Sequence, residues 1–259
     1  MRTLRITLAY DGTDFRGWQL QAAGRTVQGE LEAAVERMTG CRARIAGAGR
    51  TDAGVHALGQ VASLRIETAL PAAKLRLGLD SLTPDDLAIL EVADAPPEFH
   101  ARHSARGKTY RYRIHNHPIG SPFHRRWAWH VRAPLDRPAM RDAAARLLGT
   151  HDFSSFRLAG CDARTPVREL RRIEFAERDD DILQIELEAS AFLRGMVRAI
   201  VGTLVEVGRG RRSPGEMPAI LAARDRAAAG RSAPACGLYL VHVRYPPGAA
   251  AGVEGGDER

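Results

Sequence analysis

Apolar and polar residues alternate from Leu4 to Tyr10, the period-two pattern of a strand with one buried face, and Asp11-Gly12-Thr13 then supplies turn chemistry. From Thr26 the period changes. Val27, Leu31, Ala34, Val35 and Met38 share one helical face, with Thr26 placed to cap the start and Gly40 just past the end. Strand patterns follow at Arg42 to Ala48 and His56 to Ile66, then a helix over Leu75 to Leu82 after Pro71, then a strand over Leu87 to Ala93. The predicted order is βαββαβ.

Ala95-Pro96-Pro97 breaks the pattern, and a second series begins. It comprises strands at Thr109 to His115 and Trp127 to Val131, an amphipathic helix at Pro138 to Leu148, and a hairpin of Val167 to Ala176 with Ile182 to Ala189 around Asp179-Asp180-Asp181. An apolar helix from Phe192 to Val207, a short helix near Pro214 to Ala223 and a strand from Leu238 to Tyr245 complete it. The second half repeats the first with one extra strand and one extra helix. The expected fold class is therefore α+β: two ferredoxin-like (βαββαβ) halves in a pseudo-twofold relation, their mainly antiparallel sheets joined, with a catalytic cleft between them. The expected domains are residues 1–98, containing a loop at 47–56, and residues 99–245. Residues 246–259, rich in Gly, Ala and charge, are expected to form a disordered tail.

Composition narrows the functional classes. The 259-residue chain carries a formal net charge of +7, which favours a polyanionic partner because phosphate neutralisation releases condensed counterions. The positive charge is nearly all arginine, with only Lys74 and Lys108 as lysines. A guanidinium fork suits phosphate, although a GC-rich coding bias gives the same ratio. No apolar run reaches the ~18 residues of a membrane span, and Met1-Arg2-Thr3-Leu4-Arg5 leads into alternation rather than a signal-peptide core. A cytoplasmic protein without membrane association is expected. Cys41, Cys161 and Cys236 are odd in number and far apart, so buried free thiols are expected rather than disulfides.

The densest cluster of unusual residues is Gly47-Ala48-Gly49-Arg50-Thr51-Asp52-Ala53-Gly54-Val55-His56. Three glycines allow sharp backbone conformations that present Arg50 and Asp52 at close range. The spacing fits neither a dinucleotide fingerprint nor a nucleoside triphosphate loop. Taken alone, the cluster also reads as a tight turn in which Asp52 bonds its own backbone.

Gly49 to His56 resembles the catalytic-loop motif of the bacterial tRNA pseudouridine synthase A family. Other segments resemble that family in its order: Tyr10-Asp11-Gly12-Thr13-Asp14-Phe15-Arg16-Gly17-Trp18-Gln19, Arg25-Thr26-Val27-Gln28-Gly29-Glu30-Leu31-Glu32, Phe99-His100-Ala101-Arg102, Gly107-Lys108-Thr109-Tyr110-Arg111-Tyr112, the run Ala191 to Arg198, and the run Ala233 to Tyr239. The resemblance extends from about Leu4 to Tyr245. It implies an isomerase that converts uridine to pseudouridine at positions 38, 39 and 40, on the 3′ side of the tRNA anticodon stem-loop. It also implies no cofactor and a homodimer.

The resemblance assigns Asp52 as the essential carboxylate, attacking ribose or base or removing a ribose proton. Arg198 is implied as its partner, a guanidinium that would offset the desolvation of the carboxylate. Tyr110 is implied to stack on the extruded base, Leu238 to close the other side of the pocket, and Arg50 to help displace or replace the flipped base. Each has a plainer reading: a solvent-facing helix arginine for Arg198, a strand tyrosine for Tyr110 and core packing for Leu238. Arg102, Arg106, Lys108, Arg111 and Arg113, with Arg125-Arg126 beside Trp127, form a basic and aromatic pattern suited to RNA or to a charged strand face. Arg209-Gly210-Arg211-Arg212 suits either RNA or the carbonyls ending the preceding helix.

The nine histidines include His100 with His103 and His115 with His117, but no His-Glu-x-x-His or Cys-x-x-Cys, so no metal is expected. His100 and His103 read as loop residues. No Gly-x-Ser-x-Gly is present. Gly195 stands out as a glycine inside a predicted helix, an expected loss of ~1 kcal/mol. The competing class is a non-catalytic RNA-binding or chaperone module, which would need the charge and aromatics but not Asp52.

Overall fold

In a computed structural model, which describes residues 1–249, the N-terminal alternation becomes β1 (Arg2–Tyr10), with Leu4, Ile6, Leu8 and Tyr10 buried on one face. Helix α1 (Val27–Thr39) follows, and its first turn is completed by side chain and backbone together. Thr26 Oγ1 accepts from Gly29 N at 3.2 Å, while the carbonyls of Gly17 and Trp18 accept from Val27 N at 3.2 Å and Gln28 N at 3.0 Å. The other elements are β2 (Ala46–Gly47), β3 (His56–Ile66), α2 (Ala72–Leu82) and β4 (Leu87–Ala95). Their strand order is β4-β1-β3-β2 with every neighbour antiparallel, the arrangement of a ferredoxin-like unit.

The strand expected over 42–48 shrinks to β2. Side chains of α1 take the polar groups that a longer ladder would have used: Ile45 N donates to Glu32 Oε1 at 3.0 Å, and Ile45 O accepts from Gln28 Nε2 at 3.2 Å.

A second series comprises β5 (Gly107–His115), β6 (Trp129–His130), α3 (Arg137–Ala145), β7 (Gly149–Asp152), β8 (Val167–Arg178), β9 (Ile182–Ala189), α4 (Met196–Gly208), α5 (Met217–Ala223) and β10 (Leu238–Arg244). Its strands run β10-β5-β9-β8-β7. With β5, β8, β9 and β10 in the places of β1 to β4, this is the first unit's order again. Two short strands are additional, β6 beside β5 and β7 beside β8, where the sequence pattern had indicated only one. The chain divides into two compact units, Gly107–Val241 and the remainder, Met1–Arg106 with the stretch from His242 onward. Within that remainder Arg106 N donates to Arg244 O at 2.8 Å and Tyr245 Oη to Ala101 O at 2.6 Å, which ties residues 99–106 to the chain's return.

Helix α4 begins at Met196, later than the apolar run suggested. Gly195 is its N-cap in the left-handed region, φ 68°, so it is not a glycine wasted inside a helix. A Cβ there would also lie 2.4 Å from Leu158 Cγ, and glycine is required on both counts. Apart from half-buried Arg198 and Glu206, the rest of α4 is largely apolar and buried, as a core helix must be. Of the tail expected over 246–259, Pro246 to Ala249 form a turn closed by Ala249 N to Pro246 O at 3.2 Å, and residues 250–259 lie outside the described residues. Among the described residues no helix is long and apolar enough to cross a membrane.

Candidate active site

Asp52 lies in the irregular segment between β2 and β3, and its position is set by backbone contacts that only glycine permits. Residues 15–18 run alongside it: Trp18 N donates to Thr51 O at 3.0 Å and Gly54 N to Phe15 O at 3.3 Å, while Val55 N closes a turn onto Asp52 O at 3.1 Å. A Cβ on Gly12 would sit 2.0 Å from Val55 O, and one on Gly17 would sit 2.5 Å from Thr51 O and 3.1 Å from the Asp52 carbonyl carbon. Gly17 also holds φ 89°, a conformation costly to any other residue. The glycines that matter most to Asp52 therefore lie in the preceding loop.

Buried polar groups fix the segment from beneath. Tyr10 Oη lies 2.8 Å from Thr51 Oγ1, and Gln60 Nε2 donates to Tyr10 Oη at 3.4 Å and to Gly49 O at 2.9 Å. Burial raises the Tyr10 pKa to about 12, against the lowering effect of its bonds to Thr51 and Gln60, so the phenol stays protonated and available to both. His56 is buried at the end of the segment, its Nδ1 accepting from Gly12 N at 3.0 Å. Arg25 braces the outer side, bidentate to Asp86 at 2.5 and 2.6 Å and stacked 4.2 Å above the Phe15 ring. Asp52 itself is half-buried and Arg50 exposed, so the frame is dry while the carboxylate reaches the surface.

The other expected residues belong to the second unit. Tyr110, on β5, is buried and meets Phe192 edge-on with ring centroids 5.0 Å apart. Arg198, in the first turn of α4, is half-buried, and its Nε donates to Ala233 O at 2.7 Å while Ala233 N donates to Arg198 O at 2.9 Å. This double link fastens the helix start to the segment that leads into β10. Tyr112 Oη donates to Pro234 O at 2.7 Å in the same segment, and burial raises its pKa well above the ordinary range. Leu238, the first residue of β10, is buried. A Cβ on the preceding Gly237 would lie 2.7 Å from the Tyr112 ring and from Arg113 O. Asp52 and Arg50 are thus held by one unit, and Tyr110, Arg198 and Leu238 by the other.

Several side chains have structural duties that sequence reasoning left open. Arg111 pairs with Glu186 at 3.0 Å, Arg113 lies over the Tyr239 ring at 5.9 Å, and Arg212 is held by Glu206 at 2.6 Å. Arg102, Arg106, Arg125 and Arg126 are exposed, as is Phe123 at 79%. His100 caps a turn, its Nδ1 accepting from Arg102 N at 3.1 Å, which explains a histidine there. The three cysteines are half-buried free thiols rather than fully buried ones.

Fold and site together define a class: an α+β protein of two ferredoxin-like units, one with a rigidly framed carboxylate loop and the other with a buried tyrosine and a tethered arginine. A family model described as "tRNA pseudouridine synthase" matches residues 6–104 and 143–246. The chain is 46% identical over 256 residues to tRNA pseudouridine synthase A of Myxococcus xanthus, covering 99% of this chain and 97% of that one. It is 48% identical over 247 residues to the protein of the same name from Moorella thermoacetica and 46% over 245 residues to that of Pelobacter propionicus, each time covering 95% of this chain and 100% of the relative. The chain belongs to the tRNA pseudouridine synthase family.

Proposed function

We propose that the chain isomerises uridine to pseudouridine at positions 38, 39 and 40 of the tRNA anticodon stem-loop, with Asp52 as the essential carboxylate. The reaction is redox-neutral: the N1–C1′ bond breaks, the uracil turns, a C5–C1′ bond forms, C5 loses its proton and N1 gains one. It needs no external group, but both fragments must be held while they are separate. The observation that carries this reading is the glycine-framed segment, whose buried contacts fix the Asp52 backbone while leaving the side chain half-exposed. Tyr110 serves as the stacking surface for the extruded base, Arg198 as the guanidinium partner of Asp52, Leu238 as an apolar wall and Arg50 as a group that helps displace the base. Exposed Arg102, Arg106, Arg125 and Arg126 suit phosphate contact. The chain works in the cytoplasm as a homodimer on whose two subunits one tRNA rests, an assembly that light scattering with and without tRNA measures.

The decisive experiment compares wild type with Asp52→Asn on tRNA labelled with tritium at uridine C5. The variant is expected to bind tRNA as the wild type does while tritium release falls by at least about 10³-fold. Release by the variant at the wild-type rate would remove Asp52 from the chemistry, and tRNA binding without release by the wild type itself would favour a binding module. Mass-spectrometric mapping of the product tests the target positions separately.

A further inference from the structure

The second unit gathers histidines that the isomerase reading does not use. His115 ends β5, and its ring centroid lies 5.8 Å from that of His117, 5.1 Å from that of His124 and 5.4 Å from that of His130. One donor atom each from His115, His117 and Asp181 lie within 4.8 Å of one another. We propose that His115, His117 and Asp181 form a site for a divalent transition-metal ion of the zinc class, with His124 or water completing the coordination.

Three observations support this site. First, His115 is buried, 5% exposed, and its Nδ1 has no hydrogen-bond partner, a costly state for a ring nitrogen unless something else takes its lone pair. Second, the surrounding backbone orients the other rings as metal sites do. His117 Nδ1 is held by the Ile119 backbone, accepting from its N at 3.1 Å and lying 3.0 Å from its O, which fixes the orientation of the ring. His130 Nε2 is held the same way, 2.8 Å from His117 O. Third, acidic charge meets the imidazoles from one turn: Asp181 is among the three donors, and Asp180 Oδ2 lies 3.9 Å from His124 Nε2. The turn is secured beside β5 by Asn116 N to Asp181 O at 2.9 Å.

Two imidazoles and a carboxylate with a further position open match the donor preferences of zinc over those of magnesium or calcium. Tetrahedral bonds of about 2.0–2.1 Å place donors about 3.3 Å apart, so side-chain rotations must draw the set inward on binding. The ion would staple the β8–β9 turn to the end of β5 and to the loop 116–127, which carries exposed Phe123, Arg125 and Arg126.

The test uses the untagged full chain, stripped with EDTA and titrated with zinc sulfate in competition with a chromophoric chelator. One equivalent is expected to bind. Asp181→Asn and His117→Ala should each weaken binding by at least tenfold, and His151→Ala, remote from the cluster, should leave it unchanged. Cobalt(II) added to the wild type should give the intense ligand-field absorption of a tetrahedral site, a readout independent of whether any variant folds. Zinc should also slow tryptic cleavage after Arg125 and Arg126. Absence of a stoichiometric site, or equal binding by the Asp181→Asn and His117→Ala variants, would overturn the proposal.

Discussion

The two units share one strand order but hold their chemical groups in opposite ways. In the first, Asp52 sits on irregular chain whose geometry comes from backbone pressed against backbone at Gly12 and Gly17, with a buried Tyr10–Thr51–Gln60 network beneath. In the second, Tyr110 and Arg198 stand on a strand and a helix, and contacts made by their own side chains hold them: Phe192 against the ring and the Ala233 carbonyl on the guanidinium. Backbone framing positions a short carboxylate without long-side-chain entropy, yet it tolerates no added atom. Side-chain framing adjusts, so damage there should be graded.

The largest effect should come from Gly17→Ala. The substitution combines a left-handed φ with a 2.5 Å clash against Thr51 O, so we expect about 3 kcal/mol of destabilisation and a far larger loss of turnover than of tRNA affinity. Denaturant unfolding with tritium-release kinetics would measure both. Wild-type turnover in a folded Gly17→Ala protein would break the contrast between the units.

Arg198→Lys should be intermediate. Lysine cannot both reproduce the Nε bond to Ala233 O and present a planar fork, so turnover should fall about ten- to a hundredfold while stability drops by about 1 kcal/mol. If KM rises and kcat is unchanged, Arg198 is a binding group rather than the partner of Asp52.

Alkaline pH sharpens the comparison through the buried phenols. Exposed tyrosines titrate near 10, whereas burial raises Tyr10 to about 12 and raises Tyr112 and Tyr245 as well. Their folded pKa values lie above the unfolded ones, so this stability is complete below pH 10 and is lost as the unfolded chain sheds protons between pH 10 and 12. The slope reaches about 1.4 kcal/mol per pH unit for each tyrosine. Tyr10→Phe should remove one share of that slope and cost about 1 kcal/mol at neutral pH, since Thr51 and Gln60 lose a partner. An unaltered alkaline limb would show that Tyr10 is not sequestered.

Smallest of all should be Gly40→Ala. Gly40 is also left-handed, φ 71°, but nothing lies within 4 Å of an added Cβ, so the cost is conformational alone, about 1 kcal/mol, with turnover unchanged. It separates the φ penalty from the steric one at Gly17.

Much of this was legible in one dimension because period and burial coincide along single elements. The strands Arg2–Tyr10 and Ile182–Ala189 carry their own alternation, and Thr26 and Gly40 mark α1 locally. The discrepancies arose where distant chain decided the outcome. Side chains of α1 claim the polar groups of Ile45 and shorten β2, and a left-handed Gly195 against Leu158 delays α4. The loop containing Asp52 was visible from its glycines, but its frame was not, since Tyr10 is 41 residues from Thr51 and a hydrogen bond at that separation leaves no spacing signature. Tyr10 did offer one signal, a phenol ending a buried strand face, which must find a partner. The histidine cluster was missed because His124, His130 and Asp181 join His115 and His117 only through the fold.

The account rests on Asp52 of one unit and Tyr110 of the other serving the same nucleotide. A crystal structure of the Asp52→Asn protein with tRNA measures this directly. It should show one anticodon-stem uridine extruded, its base against the Tyr110 ring and its reacting carbon about 3–3.5 Å from the residue-52 side chain. A uridine still stacked in the stem, or extruded into a pocket that lacks either residue, would contradict the account.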